Sequence, residues 1–540
     1  MFPSIRILRS CLLAVALAAC HPHEVSIAPL PRVATARYLE GRLAAYSGDW
    51  PTAASAFADA ATAAPDQPMI AIELAHALAK AKREPAARDV LASARARWPD
   101  HPQVWLASGD LLASAMPVDR TAPPSGGGPA TAVEAAAAYR HAVSLAADDE
   151  RGYLGLARVL LAGHHEREAE DTLRALVAHV PGSVDGHFRL AQRLADRNDL
   201  AGAAKELRAV LERDPDHIDA RMALARAERR LGDLTDAIAQ TRSAFDRAAQ
   251  PIDLAQELFF LLCEADDITA AKDLLALLDD DRSDADTLGL IARLELGLGA
   301  VDAAHAITNQ LASIDADAAA LLEIEIAAGA HDLDAAERLA IALPADSPVY
   351  GAGRRVAADA IRASHGAAAR AFALVEPAWR AKPGDVDLAL SAALALAALH
   401  RGDEARAALA AVKAAPTLEL ARARLDDALG DRKAAIARLE ALIRAHPDDT
   451  AALNFAGYVM VNIGERLDVA ARYLQTAREL QPGDPAIIDS WGWLLVRRGD
   501  RKGSLAALEL ASRLAPLDQD IALHLRTART PGQLVVPSKP

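Results

Sequence analysis

The chain has 540 residues, of which 52% are apolar but only 4% aromatic, and its formal charge is −15. Alanine supplies much of the apolar content and is the strongest helix former, so the composition predicts many thin helices stacked along the chain rather than one large core. Val, Ile, Thr and Tyr do not gather into strand-like runs, and acidic and basic residues alternate without a basic stripe. That excludes a β-rich fold and disfavours nucleic acid as a partner.

At the N-terminus, Arg6 and Arg9 precede a short apolar run from Cys11 to Leu17, and Leu17-Ala18-Ala19-Cys20 places small residues before a cysteine. The run is too short to span a bilayer and reads as a cleaved signal over residues 1–19. The tetrad resembles the lipobox of bacterial lipoproteins. That resemblance implies a cut before Cys20, a diacylglycerol on its thiol and an acyl chain on the new amine, with no other cofactor. His21 stands where aspartate would, in enterobacterial relatives, direct inner-membrane retention; the resemblance therefore implies the outer membrane, on its periplasmic face. Residues 20–32 form a proline-containing tether that reaches at most about 40 Å when extended. Cys263, in LFFLLCEA, is then the last free thiol. No internal disulfide can form, and a buried, inert thiol is expected.

Spacing organises the rest. Pro65 and Pro99 are 34 residues apart, as are Pro181 and Pro215, and Pro482 and Pro516. Each closes an amphipathic stretch, ending a helix by its missing N–H and its clash with the preceding turn. The interior follows the same phase. The first unit carries Gly41, Gly48-Asp49-Trp50, Ala53, Phe57, Ala60 and Pro65, and a late one Leu453, Gly457, Gly464, Ala470, Ala477 and Pro482. A helix–turn–helix repeat of this length with a terminal proline resembles the tetratricopeptide repeat. The expected fold is an all-α solenoid, a right-handed superhelix of about fourteen units over 33–516, with a capping helix and tail over 517–540. Residues 116–131, rich in Pro, Gly and Ser, interrupt the third unit as an exposed flexible loop. Units between 284 and 416 are Ala-rich and irregular in spacing. Stability is expected to come from nearest-neighbour repeat interfaces, so that deleting one end shortens the cooperative unit rather than unfolding everything.

Motifs for chemistry are weak. His165-Glu166 begins a zincin-like pattern, but Ala169 replaces its second histidine; Gly297-Leu298-Gly299 begins a dinucleotide fingerprint, but Asp302 replaces its third glycine. Both read as turns between paired helices. His21, His23 and Glu24 lack a fourth metal ligand. The expectation is a protein that is not an enzyme and holds no metal.

Tetratricopeptide units line a concave groove with their first helix, along an i, i+4, i+8 stripe offset from the core stripe. In the thirteenth unit that stripe carries Asn454, Tyr458 and Asn462, and in the fourteenth Asp489, Trp493 and Arg497, against a core stripe of Ile488, Trp491, Gly492 and Leu495. Amides, aromatics and a charge pair suit an extended peptide of a protein partner. The alternative is that Trp493 and Tyr458 pack against the next helix. The stretch ALNFAGYVMVNIGERLDVAARYLQTARELQPGDPAIIDSWGWLLVRRGD resembles a group of proteobacterial tetratricopeptide lipoproteins. One class of that group is the outer-membrane adaptor of a periplasmic carboxyl-terminal processing protease, bringing cell-wall hydrolases to it. Others assist exopolysaccharide export, pilus assembly or outer-membrane protein insertion. The resemblance thus implies envelope protein partners and a membrane held by the lipid anchor.

Overall fold

The computed structural model describes residues 30–114, 129–248, 252–279, 284–363, 367–413 and 417–530. Cys20, the histidines near it and most of the 116–131 insertion lie outside them. Among the described residues are 29 helices and no strand, following one another as fourteen hairpins and a final helix. The first compact unit, residues 1–220, pairs Arg32–Tyr46 with Trp50–Ala63, Pro68–Lys80 with Glu84–Arg97, and Pro102–Ser114 with Pro129–Leu145. Glu150–Ala162 with Glu166–His179 and Val184–Asp196 with Leu200–Arg213 follow.

The sixth pair, Ile218–Leu231 with Leu234–Arg247, starts at the boundary of the second compact unit, residues 221–540. That unit continues with Ile252–Glu264 and Ile268–Leu278, Ala285–Gly297 and Val301–Leu311, Ala316–Gly329 and Leu333–Ala342, and Tyr350–Arg362 and Ala368–Ala381. It ends with Val386–Ala398 and Gly402–Ala410, Leu418–Ala428 and Arg432–Ala445, Thr450–Ile463 and Leu467–Leu480, Pro485–Arg498 and Arg501–Leu514, then Gln519–Arg529 alone. The helix expected to begin after Thr131 starts at Pro129, because proline at the first helical position loses no hydrogen bond and presets φ.

Twelve of the fourteen hairpins reverse, among the described residues, on one residue in the left-handed region. Gly48, Gly232, Gly299, Gly430, Gly464 and Gly499 hold φ of 73–91°, while Lys82, His164, Asn198, Asp266, His331 and His400 hold 58–65°. An aspartate then caps many second helices: Asp49 accepts from Thr52 N, Asp199 from Gly202 N and Asp500 from Gly503 N. The left-handed conformation costs a side-chain-bearing residue about 1–2 kcal/mol. Lys82→Gly is therefore expected to stabilise the first compact unit by up to about 1 kcal/mol, after glycine's own entropy cost. A denaturant midpoint that falls instead would contradict this.

Small residues on first helices admit large ones from second helices. A Cβ on Gly41 would come 2.7 Å from the Phe57 ring, and one on Gly492 would come 2.7 Å from Leu508. Tyr139, fully buried, lies between Gly109 and Gly155 and donates its hydroxyl to Asp110 Oδ1 at 2.7 Å. The irregular spacing between 284 and 416 has a physical cause. Second helices of 14 residues elsewhere, such as Leu200–Arg213 and Leu467–Leu480, shorten there to 11, 10 and 9 in Val301–Leu311, Leu333–Ala342 and Gly402–Ala410.

Within the second unit, hairpins distant in sequence meet. The core around Leu258, Leu262, Leu288 and Ile291 also takes in Ile488, Ala511, Leu514 and Ile521. The fourteenth hairpin therefore packs against the seventh and eighth, and nearest-neighbour interfaces do not account for all of this unit's packing.

Candidate partner-binding groove

The helices Thr450–Ile463 and Pro485–Arg498 carry the six groove candidates. Trp493 and Asp489 are not open to a ligand: they are 1% and 6% exposed. The Trp493 indole N–H donates to Asn462 Oδ1 at 3.1 Å, and its ring stacks on His524 with centroids 4.4 Å apart and planes 16° apart. His524 turns Nδ1 to both Asp489 oxygens, at 2.8 and 2.9 Å, so its N–H donates to the carboxylate. Burial holds the Asp489 carboxyl above the usual carboxylate range, while the His524 bond pulls it down. The helix Gln519–Arg529 thus covers the stripe of the last hairpin.

The roles expected of the two tryptophans are corrected accordingly. Trp493, expected in the groove, is core. Trp491, expected in the core, is half-buried beneath the Arg478 guanidinium, 4.9 Å from its ring centroid. Ile488 and Gly492 are buried as the core stripe requires, and Leu495 is half-buried. The physical reason is that a helix laid over the end of the stack sits across the same positions that, in an interior unit, face the groove.

Asn454, Tyr458, Asn462 and Arg497 stay half-buried. Asn462 is engaged by Trp493, and Arg497 makes no ion pair among the described residues. Asn454 Oδ1 is buried without a hydrogen-bond partner. Native structures rarely leave such an atom unpaired, so it marks either strain or a missing partner.

Sequence reasoning missed a second cluster at equivalent positions. Phe260 stands six residues before the left-handed Asp266, as Tyr458 does before Gly464. Its ring lies where a Cβ on Gly483 would come within 2.5 Å. Around it, Arg229 pairs with Glu264 at 2.5 Å and donates to Pro482 O at 3.0 Å, and Arg230 reaches Glu479 at 3.4 Å. Arg513 donates to Cys263 O at 3.4 Å, and His331 Nε2 lies 2.6 Å from Leu517 O. Burial, with Arg229 alongside, lowers the pKa of Arg478. The groove face of the seventh hairpin is therefore filled by the chain's own C-terminal hairpins. Three glycines, Gly297, Gly299 and Gly483, sit at this close approach, and none has a partner that sequence spacing names. Burial also pushes the Cys263 thiol up to about 11, which keeps it unreactive.

Two family models, each described as tetratricopeptide repeat, match this chain, one over residues 188–251 and 420–485 and the other over 44–111. The TPR repeat-containing protein PA4667 of Pseudomonas aeruginosa is 36% identical over 87 residues, which is 16% of this chain and 15% of that relative's length. Among solved structures, MamA from Desulfovibrio magneticus RS-1 is similar at 15% identity and TM-score 0.27, covering 34% of this chain and 95% of that one. PilF of Pseudomonas aeruginosa is similar at 14% identity and TM-score 0.32, covering 39% and 89%. The chain contains tetratricopeptide repeats, arranged in an all-α solenoid, and that scaffold serves protein partners generally.

Proposed function

We propose that the chain is a non-enzymatic adaptor of the cell envelope, held by acylated Cys20 at the periplasmic face of the outer membrane, which brings protein substrates to a carboxyl-terminal processing protease. The single observation that carries a peptide-binding role is Asn454 Oδ1, buried and unpaired one turn before Tyr458 on the groove stripe. A rotation of that side chain offers an acceptor to the backbone N–H of an extended segment, and Tyr458 covers a neighbouring side chain. The lipobox-like tetrad and the C-terminal resemblance support the envelope setting. The 36% identity to PA4667 supports a kinship at the level of the repeats.

The test reconstitutes the acylated chain with the processing protease and a cell-wall hydrolase of its own cell. Cleavage of the hydrolase is expected to accelerate several-fold in the chain's presence. Asn454→Ala is expected to reduce that acceleration while leaving stability unchanged or slightly raised, because it removes an unsatisfied buried group. Equal cleavage with and without the chain rejects the protease-adaptor role. Cys20→Ala is expected to abolish acyl labelling and release the chain from membranes; unchanged retention rejects the anchor.

A further inference from the structure

The large apolar residues left exposed among the described residues are not evenly spread. Val33, Leu39, Leu43 and Tyr46, exposed at 64%, 60%, 72% and 92%, all lie on the first helix, Arg32–Tyr46. The last three follow i, i+4, i+7 spacing, so they share one face, with Ala36 and Arg32 along the same side. The opposite face holds the helix in the fold: Ala34, Gly41 and Ala44 are buried, with Phe57 packed on Gly41. The charged neighbours are engaged beside the stripe rather than on it, Arg37 with Glu40 and Asp59, and Arg42 with Glu73. At the other end of the chain, the helix Gln519–Arg529 covers the terminal hairpin. No described helix does the same for the first.

We propose that this stripe rests on the surface of the bilayer that carries the lipid anchor. The inference rests on the anchoring read for Cys20. Eleven residues separate Cys20 from Arg32, and Pro22, Pro29 and Pro31 lie among them, so the helix stays within about 40 Å of the headgroups however the tether runs. A leucine pair with a tyrosine at its end matches the composition of interfacial helices, where the aromatic ring sits at headgroup level and the aliphatic chains enter the acyl boundary. Arg32 on the same side faces anionic headgroups. The acyl chains supply the affinity, and the stripe fixes which way the first hairpin faces.

The test uses the acylated full chain carrying Leu43→Cys, labelled with the environment-sensitive dye NBD and added to vesicles of phosphatidylethanolamine and phosphatidylglycerol at three to one. Cys263 is buried and does not compete for the label. A second preparation carries the label at Asp403→Cys, on a fully exposed side chain. At position 43 the dye is expected to shift to the blue on vesicle binding and to be quenched by lipids spin-labelled near the headgroup. At position 403 neither change is expected. A chain that floats with the vesicles while the dye at 43 keeps its emission in water overturns the proposal and leaves the anchor intact. A chain that does not float at all overturns the anchoring itself. A blue shift at 43 without lipid quenching, lost on dilution, overturns the proposal in favour of a second copy covering the stripe. Leu39→Glu in the labelled chain, a change at an exposed position, is expected to reduce the shift at 43 without loss of helix content.

Discussion

Trp493→Ala is expected to destabilise the C-terminal end of the second unit by about 3–5 kcal/mol, the usual cost of emptying a buried tryptophan site. The ring is fully buried, donates to Asn462 and stacks on His524. Its loss removes the platform on which Gln519–Arg529 rests. His524 and Asp489 are then left bonded to each other beside a cavity, and the terminal helix should become the first segment cut by a protease. Trp491→Ala is expected to cost about 1–2 kcal/mol, because that ring is only partly buried, at the margin of the core and beneath Arg478. Denaturant unfolding of both variants checks the order. A Trp493→Ala chain as stable as the parent, with partner capture lost, would return Trp493 to the groove.

The second large effect concerns the contact that the sixth and seventh hairpins make with the entry to the fourteenth. Arg229→Ala leaves Glu264 and Pro482 O without their donor, and Gly483→Val drives a side chain into the Phe260 ring. Together they are expected to cost about 3 kcal/mol, from a partly buried broken pair and from overpacking. Because both act across one interface, their effects should not add in full. In a chain ending at Gln481 that interface is gone, and Arg229→Ala should then cost under about 1 kcal/mol, the level of an ordinary surface pair. An equal cost in both backgrounds would mean that Arg229 stabilises only the packing of the sixth hairpin on the seventh.

The helices and their pairing were legible because the signals are local. Gly499 and Asp500 mark a left-handed reversal and a cap; Gly41 and Phe57 mark a close approach of two helices within one unit. Helix shortening to 9–11 residues between 284 and 416 hid the same signals by changing their spacing. The groove was less legible. The stripe rule names Asp489 and Trp493 for the groove, but what lies over them depends on the next element; for Trp493 the alternative, packing against the next helix, is what His524 of the terminal helix provides. The pairing of Phe260 with Gly483 was not legible at all. Those residues are more than 200 positions apart, and the pitch that brings them together is a sum of small rotations over seven hairpins.

The most direct test of this account is amide hydrogen exchange in the helix Ile252–Glu264, in the full chain and in one ending at Gln481. A closed second unit predicts that removing the fourteenth hairpin and the terminal helix deprotects Leu258, Phe259 and Leu262, whose core includes Ile488, Ala511 and Leu514. Exchange in that helix unchanged by the truncation, with losses confined to Thr450–Ile463 and Leu467–Leu480, would contradict closure and describe a solenoid held by neighbours alone.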